Sequence, residues 1–83
     1  MVEEIRQLIA KHCKMPTDVV TLSDTSDLYA AGLSSFASVQ LMLALENHYD
    51  IEFPETMLNR KTFSSIAAIE AALKQILPAG AAA

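Results

Sequence analysis

The chain has 83 residues, 52% of them hydrophobic, and a formal net charge of −4. This length allows one domain of modest stability, because a chain of this size buries only about 60% of the surface it exposes when unfolded. It leaves no room for a deep substrate pocket beside a core, which counts against a self-contained enzyme.

Ala, Leu and Ile dominate while Gly and Pro are scarce, a helical composition. Cys13 is the single cysteine, so an internal disulfide is excluded. With no signal-peptide pattern at the start, the expected location is a reducing cytoplasm. No apolar run approaches the roughly 20 residues needed to span a bilayer, so no membrane role is expected. No Lys or Arg occurs between Lys14 and Arg60, a stretch that holds Asp18, Asp24, Asp27, Glu46, Asp50, Glu52 and Glu55. Such a middle repels nucleic acid, which needs clustered cations to displace its counterions. It suits either a partner with a basic surface or plain solubility.

The first element is a helix over 2–13. Ile5, Leu8, Ile9 and His12 share one face at helical spacing. Glu3 and Glu4 favour its start, Lys11 and Lys14 its end, and Pro16 limits its continuation. A long connection follows, over 14–34. Its Val19, Val20, Leu22, Leu28, Tyr29 and Leu33 predict that it packs down, and Ser23-Asp24-Thr25-Ser26-Asp27 supplies turn chemistry. Gly32 closes it where the backbone needs positive φ or close approach.

The second helix is expected over 35–48. Apolar residues cover more than one stripe of it, which makes it central, with Leu43 among the expected core side chains. Pro54 suits the start of a short third helix over 55–59. Ser64 is the expected cap of the last helix, in which Ile66, Ile69, Leu73, Ile76 and Leu77 recur near every 3.6 residues until Pro78. The predicted fold is all-α: a small four-helix bundle of three longer helices and one short one. It has a long loop between the first and second helices. Residues 1–77 form the domain and 78–83 a frayed tail, and the expected state is a monomer.

The familiar catalytic patterns are missing: no GxSxG, HExxH, P-loop, GxGxxG or CxxC. His12, Cys13, His48 and Asp50 make a poor metal set. His12 and Cys13 are neighbours on a helix and point about 100° apart. His12 is expected at the edge of the core, His48 at a helix end, and Cys13 as a small buried hydrophobe. What remains is Gly32-Leu33-Ser34-Ser35-Phe36. A serine at a helix start ordinarily only caps it. The same place also suits a phosphate ester, which would sit among free backbone N–H groups at the positive helix end. Leu33 and Phe36 would then offer apolar flanks to a modifying enzyme.

The chain resembles the acyl carrier protein family, whose Gly-x-Asp-Ser-Leu centre opens the second helix where Gly32-Leu33-Ser34-Ser35-Phe36 stands here. Asp27-Leu28-Tyr29-Ala30-Ala31-Gly32-Leu33 resembles the family's approach loop. Val39-Gln40-Leu41-Met42-Leu43-Ala44-Leu45-Glu46 resembles its second helix. Phe53-Pro54-Glu55 is similar to its turn into the third, and Thr62-Phe63-Ser64-Ser65-Ile66-Ala67-Ala68-Ile69 to the start of its fourth. The resemblance covers residues 2–77.

It implies a non-catalytic carrier bearing 4′-phosphopantetheine, derived from coenzyme A, on Ser35. A carboxylic acid would be held on the arm as a thioester. It further implies recognition through Gly32, Leu33, Ser34, Phe36, Val39, Gln40, Met42 and Glu46. The implied partners are a phosphopantetheinyl transferase, an acyl- or aminoacyl-activating ligase, and acyl-processing or acyl-transfer enzymes. Ser34 replaces the family's Asp and Phe36 its Leu. Ala37, Gln40 and Asn47 stand where fatty-acid carriers are often acidic, with only Glu46 remaining. These departures point to a specialised carrier of an amino acid, a polyketide-type acid or an unusual acyl chain rather than to bulk fatty-acid synthesis. The alternative is an unmodified helical interaction module of the same fold.

Overall fold

The computed structural model describes residues 1–13, 15–16 and 18–77. The expectations placed on Lys14 and on the tail 78–83 lie outside the described residues. The described chain is all-helical, with helix α1 (Val2–His12), helix α2 (Ser35–Tyr49) and helix α3 (Ile66–Ile76). Single 3₁₀ turns occur at Val19–Thr21 and Glu55–Met57. No β-strand occurs among the described residues, and no described helix is long and apolar enough to cross a membrane.

Helix α1 packs against both α2 and α3. Ile5 and Ile9 meet Leu41 and Leu45 of α2 and Ile66, Ile69 and Leu73 of α3 in one buried cluster. Leu8 and His12 are half-buried beside them, on the face that the spacing predicts. The Glu4 carboxylate lies 3.2 Å from the chain's amino terminus and 3.1 Å from His48 Nε2. The His48 hydrogen bond, followed by the terminus, holds Glu4 below its ordinary pKa. This pair ties the start of α1 to the end of α2.

The long connection packs down because α1 and α3 hold it. Arg6 donates to the Val19 carbonyl and to Asp24, each at 2.7 Å. The Asp24 carbonyl accepts from Ala67 N at 2.8 Å, and Leu28 N donates to the Ser64 carbonyl at 2.8 Å. Val19, Leu28 and Leu33 are buried there, but Val20 is 78% exposed, contrary to expectation. The 3₁₀ turn points these adjacent valines to opposite sides.

Three further expectations are corrected. The short third helix over 55–59 is only the 3₁₀ turn Glu55–Met57. Leu58, at φ −85° and ψ 69°, leaves helical geometry, and Asn59 folds back to accept from Thr62 N at 3.0 Å. The cap of α3 is Ser65, whose Oγ accepts from Ala68 N at 3.0 Å, while Ser64 Oγ donates to the Lys61 carbonyl. Leu43 is 55% exposed rather than in the core. At about 100° per residue it stands roughly 200° from Leu41, on the opposite side of α2.

Leu41→Ala or Leu45→Ala should therefore destabilise the domain by about 2–5 kcal/mol in chemical denaturation. Leu43→Ala should stay within about 0.5 kcal/mol. A larger loss at Leu43 than at Leu41 would reverse the assignment of faces.

Candidate functional site

The approach to α2 is set by Gly32, which has φ 116°. A Cβ on it would fall 2.6 Å from Pro16 Cγ and closer still to Pro16 Cδ. The close approach expected at this glycine is thus made by the chain's own proline ring. Leu33 follows, buried, with its N–H on the Leu28 carbonyl at 2.9 Å. It anchors the loop and presents no flank to another protein, which corrects that expectation.

Ser34 is extended, at φ −84° and ψ 164°, and caps α2. Its Oγ accepts from Ala37 N at 3.0 Å, and its carbonyl accepts from Ser38 N at 2.9 Å. Ser35 opens the helix and is exposed. Its hydroxyl has no hydrogen-bond partner among the described residues; only its carbonyl is engaged, by Ser38 Oγ at 2.7 Å. The two adjacent serines therefore divide into one that caps and one that is chemically free.

Ser35 borders a cavity of about 270 Å³ lined also by Tyr29, Val39, Met42, Leu58, Arg60 and Phe63. Val39 and Met42 lie one and two turns after Ser35 on the same side of α2. Leu58 and Arg60 close the cavity from the segment after the 3₁₀ turn, and Phe63 meets Phe53 edge-on at 5.5 Å between ring centres. Sequence reasoning missed Leu58 and Arg60 as site residues. A signal existed for Arg60, the first cation after the cation-free stretch.

The other expected recognition residues are not all brought together. Phe36 stands free at 73% exposure. Gln40 borders a separate shallow groove with His12, Leu43 and Asn47. The Glu46 carboxylate accepts from Phe53 N at 2.9 Å, so it braces the chain after α2. Cys13 is buried and its Sγ donates to the Ala37 carbonyl at 3.4 Å. Burial pushes its thiol up to about 11, so thiolate is scarce at neutral pH. Among the described residues no group of three or more His, Cys, Asp or Glu is placed to hold a metal ion.

These residues fit a phosphate-linked arm. The first turn of α2 carries no acidic residue, and its positive end favours an anion. The Ser35 hydroxyl is exposed at a cavity mouth and has no hydrogen-bond partner among the described residues. No carboxylate or imidazole lines the cavity among the described residues, so none of them stands there as a general base.

The phosphopantetheine attachment site family model matches residues 3–73. The chain is 62% identical over 73 residues to the aminoacyl carrier protein of Agrobacterium fabrum, covering 88% of each. It is 31% identical over 64 residues to the D-alanyl carrier protein of Bacillus subtilis, covering 76% of this chain and 80% of that one. Among solved structures it is similar to a chain in the crystal structure of an engineered Bradyrhizobium japonicum glycine:carrier protein ligase complexed with carrier protein from Agrobacterium tumefaciens and ATP. The TM-score is 0.87 at 59% identity, covering 90% of this chain and 97% of the matched chain.

Ser34→Ala should cost about 1 kcal/mol by loss of the cap. Gly32→Ala should cost about 1–3 kcal/mol from backbone strain, besides the clash with Pro16. Thermal unfolding of both variants checks this order; equal stability of wild type and Gly32→Ala would show that the turn relaxes freely.

Proposed function

This chain belongs to the acyl carrier protein family, and on that premise we propose that its arm is attached at Ser35 and that its cargo is an amino acid. It bears a covalent 4′-phosphopantetheine and is a carrier rather than a catalyst. The arm supplies a terminal thiol that holds an acid as a thioester. This chain's own residues hold the root of the arm and present a surface to partners. Tethering raises the effective concentration of cargo at each partner's site, by an amount set by the length of the tether.

The observation that carries the attachment site is the division of labour between the two serines. Ser34 Oγ is occupied by Ala37 N, while Ser35 Oγ is unengaged at the cavity mouth. In the transfer step Ser35 Oγ gives up its proton and forms a bond to the phosphorus of coenzyme A. The phosphoanhydride bond breaks and adenosine 3′,5′-bisphosphate leaves. The transferase must supply the base, since none lines the cavity.

An amino acid is supported as cargo by the aminoacyl and D-alanyl carriers among the relatives and by the glycine:carrier protein ligase in the structural neighbour. Glycine is accordingly the first candidate, and an amino acid:carrier protein ligase the proposed loading partner. The scarcity of acids along α2 agrees, because Ala37, Gln40 and Asn47 give a basic fatty-acid enzyme little to grip. We place the protein in the cytoplasm, as one carrier domain over 1–77. Within it the Glu55–Met57 turn does the work of the family's short third helix.

Incubation of unmodified protein with coenzyme A, magnesium and a broad-specificity transferase should add the arm's mass to wild type and to Ser34→Ala. Folded Ser35→Ala should gain nothing; if it does gain the mass, the site lies elsewhere. Loaded with glycine, ATP and the ligase, the modified wild type should gain a hydroxylamine-labile glycyl group. Fatty-acid elongation enzymes should use it poorly. Acidic residues restored at 37, 40 and 47 should raise that use, less so at high salt. Normal elongation by the unaltered protein would refute the specialised assignment.

A further inference from the structure

Arg60 lines the same cavity as Ser35 and is its only charged lining residue among the described residues. Its guanidinium carbon sits 4.2 Å from the centre of the Tyr29 ring. Stacking uses the flat face of the guanidinium and leaves its in-plane N–H donors available. None of the four ion pairs among the described residues includes Arg60; their cations are the amino terminus, Arg6, His48 and Lys74. A cation thus lines the same cavity as the Ser35 hydroxyl, with no carboxylate among the described lining residues to pair with.

The segment that presents Arg60 is fixed. Asn59 Nδ2 donates to the Thr56 carbonyl at 3.0 Å, and Asn59 Oδ1 accepts from Thr62 N and Thr62 Oγ1 at 3.0 and 3.1 Å. Tyr29 comes from the connection before α2 and is half-buried. The loop therefore positions the backbone of Arg60 while the ring positions its head.

We propose that Arg60, stacked on Tyr29, is the counter-ion of the phosphodiester that joins the arm to Ser35. The inference rests on attachment at Ser35. A phosphodiester keeps one negative charge throughout the neutral range, and a guanidinium fork matches two of its oxygens. The free N–H groups at the start of α2 face the same anion from the helix side. Between them the root of the arm is held while the remainder of the arm is left free to reach partners. The pairing also offsets the repulsion that the acidic middle of the chain would exert on a new anion.

The test uses modified wild type, Arg60→Gln, Arg60→Lys and Tyr29→Leu, with the arm mapped by mass spectrometry and folding checked by circular dichroism. The readout is the ³¹P resonance of the phosphodiester. In Arg60→Gln it should move from its wild-type position toward its value in urea-unfolded modified protein. Arg60→Lys should fall between, since lysine keeps the charge without the fork. Tyr29→Leu should move it in the same direction as Arg60→Gln. The difference between wild type and Arg60→Gln should shrink as salt rises. Attachment also alters the packing of Arg60 on Tyr29, so Tyr29 emission should change between unmodified and modified wild type and not in Arg60→Gln. The chain has two Tyr and no Trp, which keeps that signal readable. An unchanged ³¹P resonance in folded, modified Arg60→Gln overturns the counter-ion and leaves attachment at Ser35 intact. An arm mapped to another residue overturns both.

Discussion

The backbone at Gly32 runs against the ring of Pro16 with φ of 116°, where any side chain would overlap the ring. The site is downstream of that contact. The turn lets Leu33 enter the core while Ser34 stays extended, so that α2 begins at one residue and no other. Leu33 N is held by the Leu28 carbonyl, and Leu28 N by the Ser64 carbonyl just before α3. The line of hydrogen bonds runs from the entrance of α3, through the connection, to the cap of α2. Ordering such a segment costs about 1–2 kcal/mol per residue in backbone entropy. Val19, Leu28 and Leu33 offset it, each worth about 1.5–3 kcal/mol on burial, and so do the charge-assisted bonds of Arg6. The Ser35 hydroxyl can stand in solvent because its neighbours are so thoroughly committed.

Helix α2 keeps its buried and its exposed apolar residues on different sides. Leu41 and Leu45 are fully buried against α1 and α3. Phe36, Val39 and Leu43 are half or more exposed along the outer surface. Glu46 is turned to the backbone of Phe53, and Asp50 ends the helix in the left-handed region, a conformation that Asp tolerates better than most side chains. A carrier must be handled by several enzymes in turn, and its outer residues can vary without disturbing the inner ones. The cavity beside Ser35 holds aromatic, aliphatic and amide groups and one cation, but no acid or base. Chemistry on the cargo must then come from the partners.

Helices α1 and α3 were legible in the sequence because each carries one apolar stripe, and the stripe selects a face. Helix α2 was legible as a helix but not in its orientation. Its apolar residues run all the way round, so periodicity gave no reason to prefer Leu41 over Leu43. The register of Ser34 and Ser35 was readable from the distance to Gly32, and the cap geometry agrees with it. The equivalent choice at Ser64 and Ser65 went the other way. There the backbone at Lys61 already claims the Ser64 hydroxyl, a local bond that pattern reading does not weigh. Leu58 and Arg60 reach the cavity through a single 3₁₀ turn and an Asn59-stapled loop. Their contribution is a matter of tertiary placement, which no short-range pattern encodes. The turn itself was mistaken for a longer helix because Pro54 and Glu55 are good helix openers, and only the backbone of Leu58 shows where it stops.

The departures from the family's sequence then take on a common electrostatic sense. An Asp at the cap position would place a full negative charge within a residue of the proposed attachment point, Ser35. Ser34 makes the same hydrogen bond to Ala37 N without that charge. Ala37 and Gln40 likewise leave α2 without an acid before Glu46, and Asn47 adds none after it. A phosphodiester at Ser35, as proposed, would face a positive helix end and Arg60 with little competition from nearby anions. The cost falls on recognition, because a partner that relies on basic residues finds few acids along this helix to steer by. Its exposed Phe36, Val39 and Leu43 offer apolar area instead, and such contacts respond weakly to salt. A surface of that kind discriminates by shape. It agrees with the proposed dedicated loading enzyme rather than the many basic partners of a general acyl carrier.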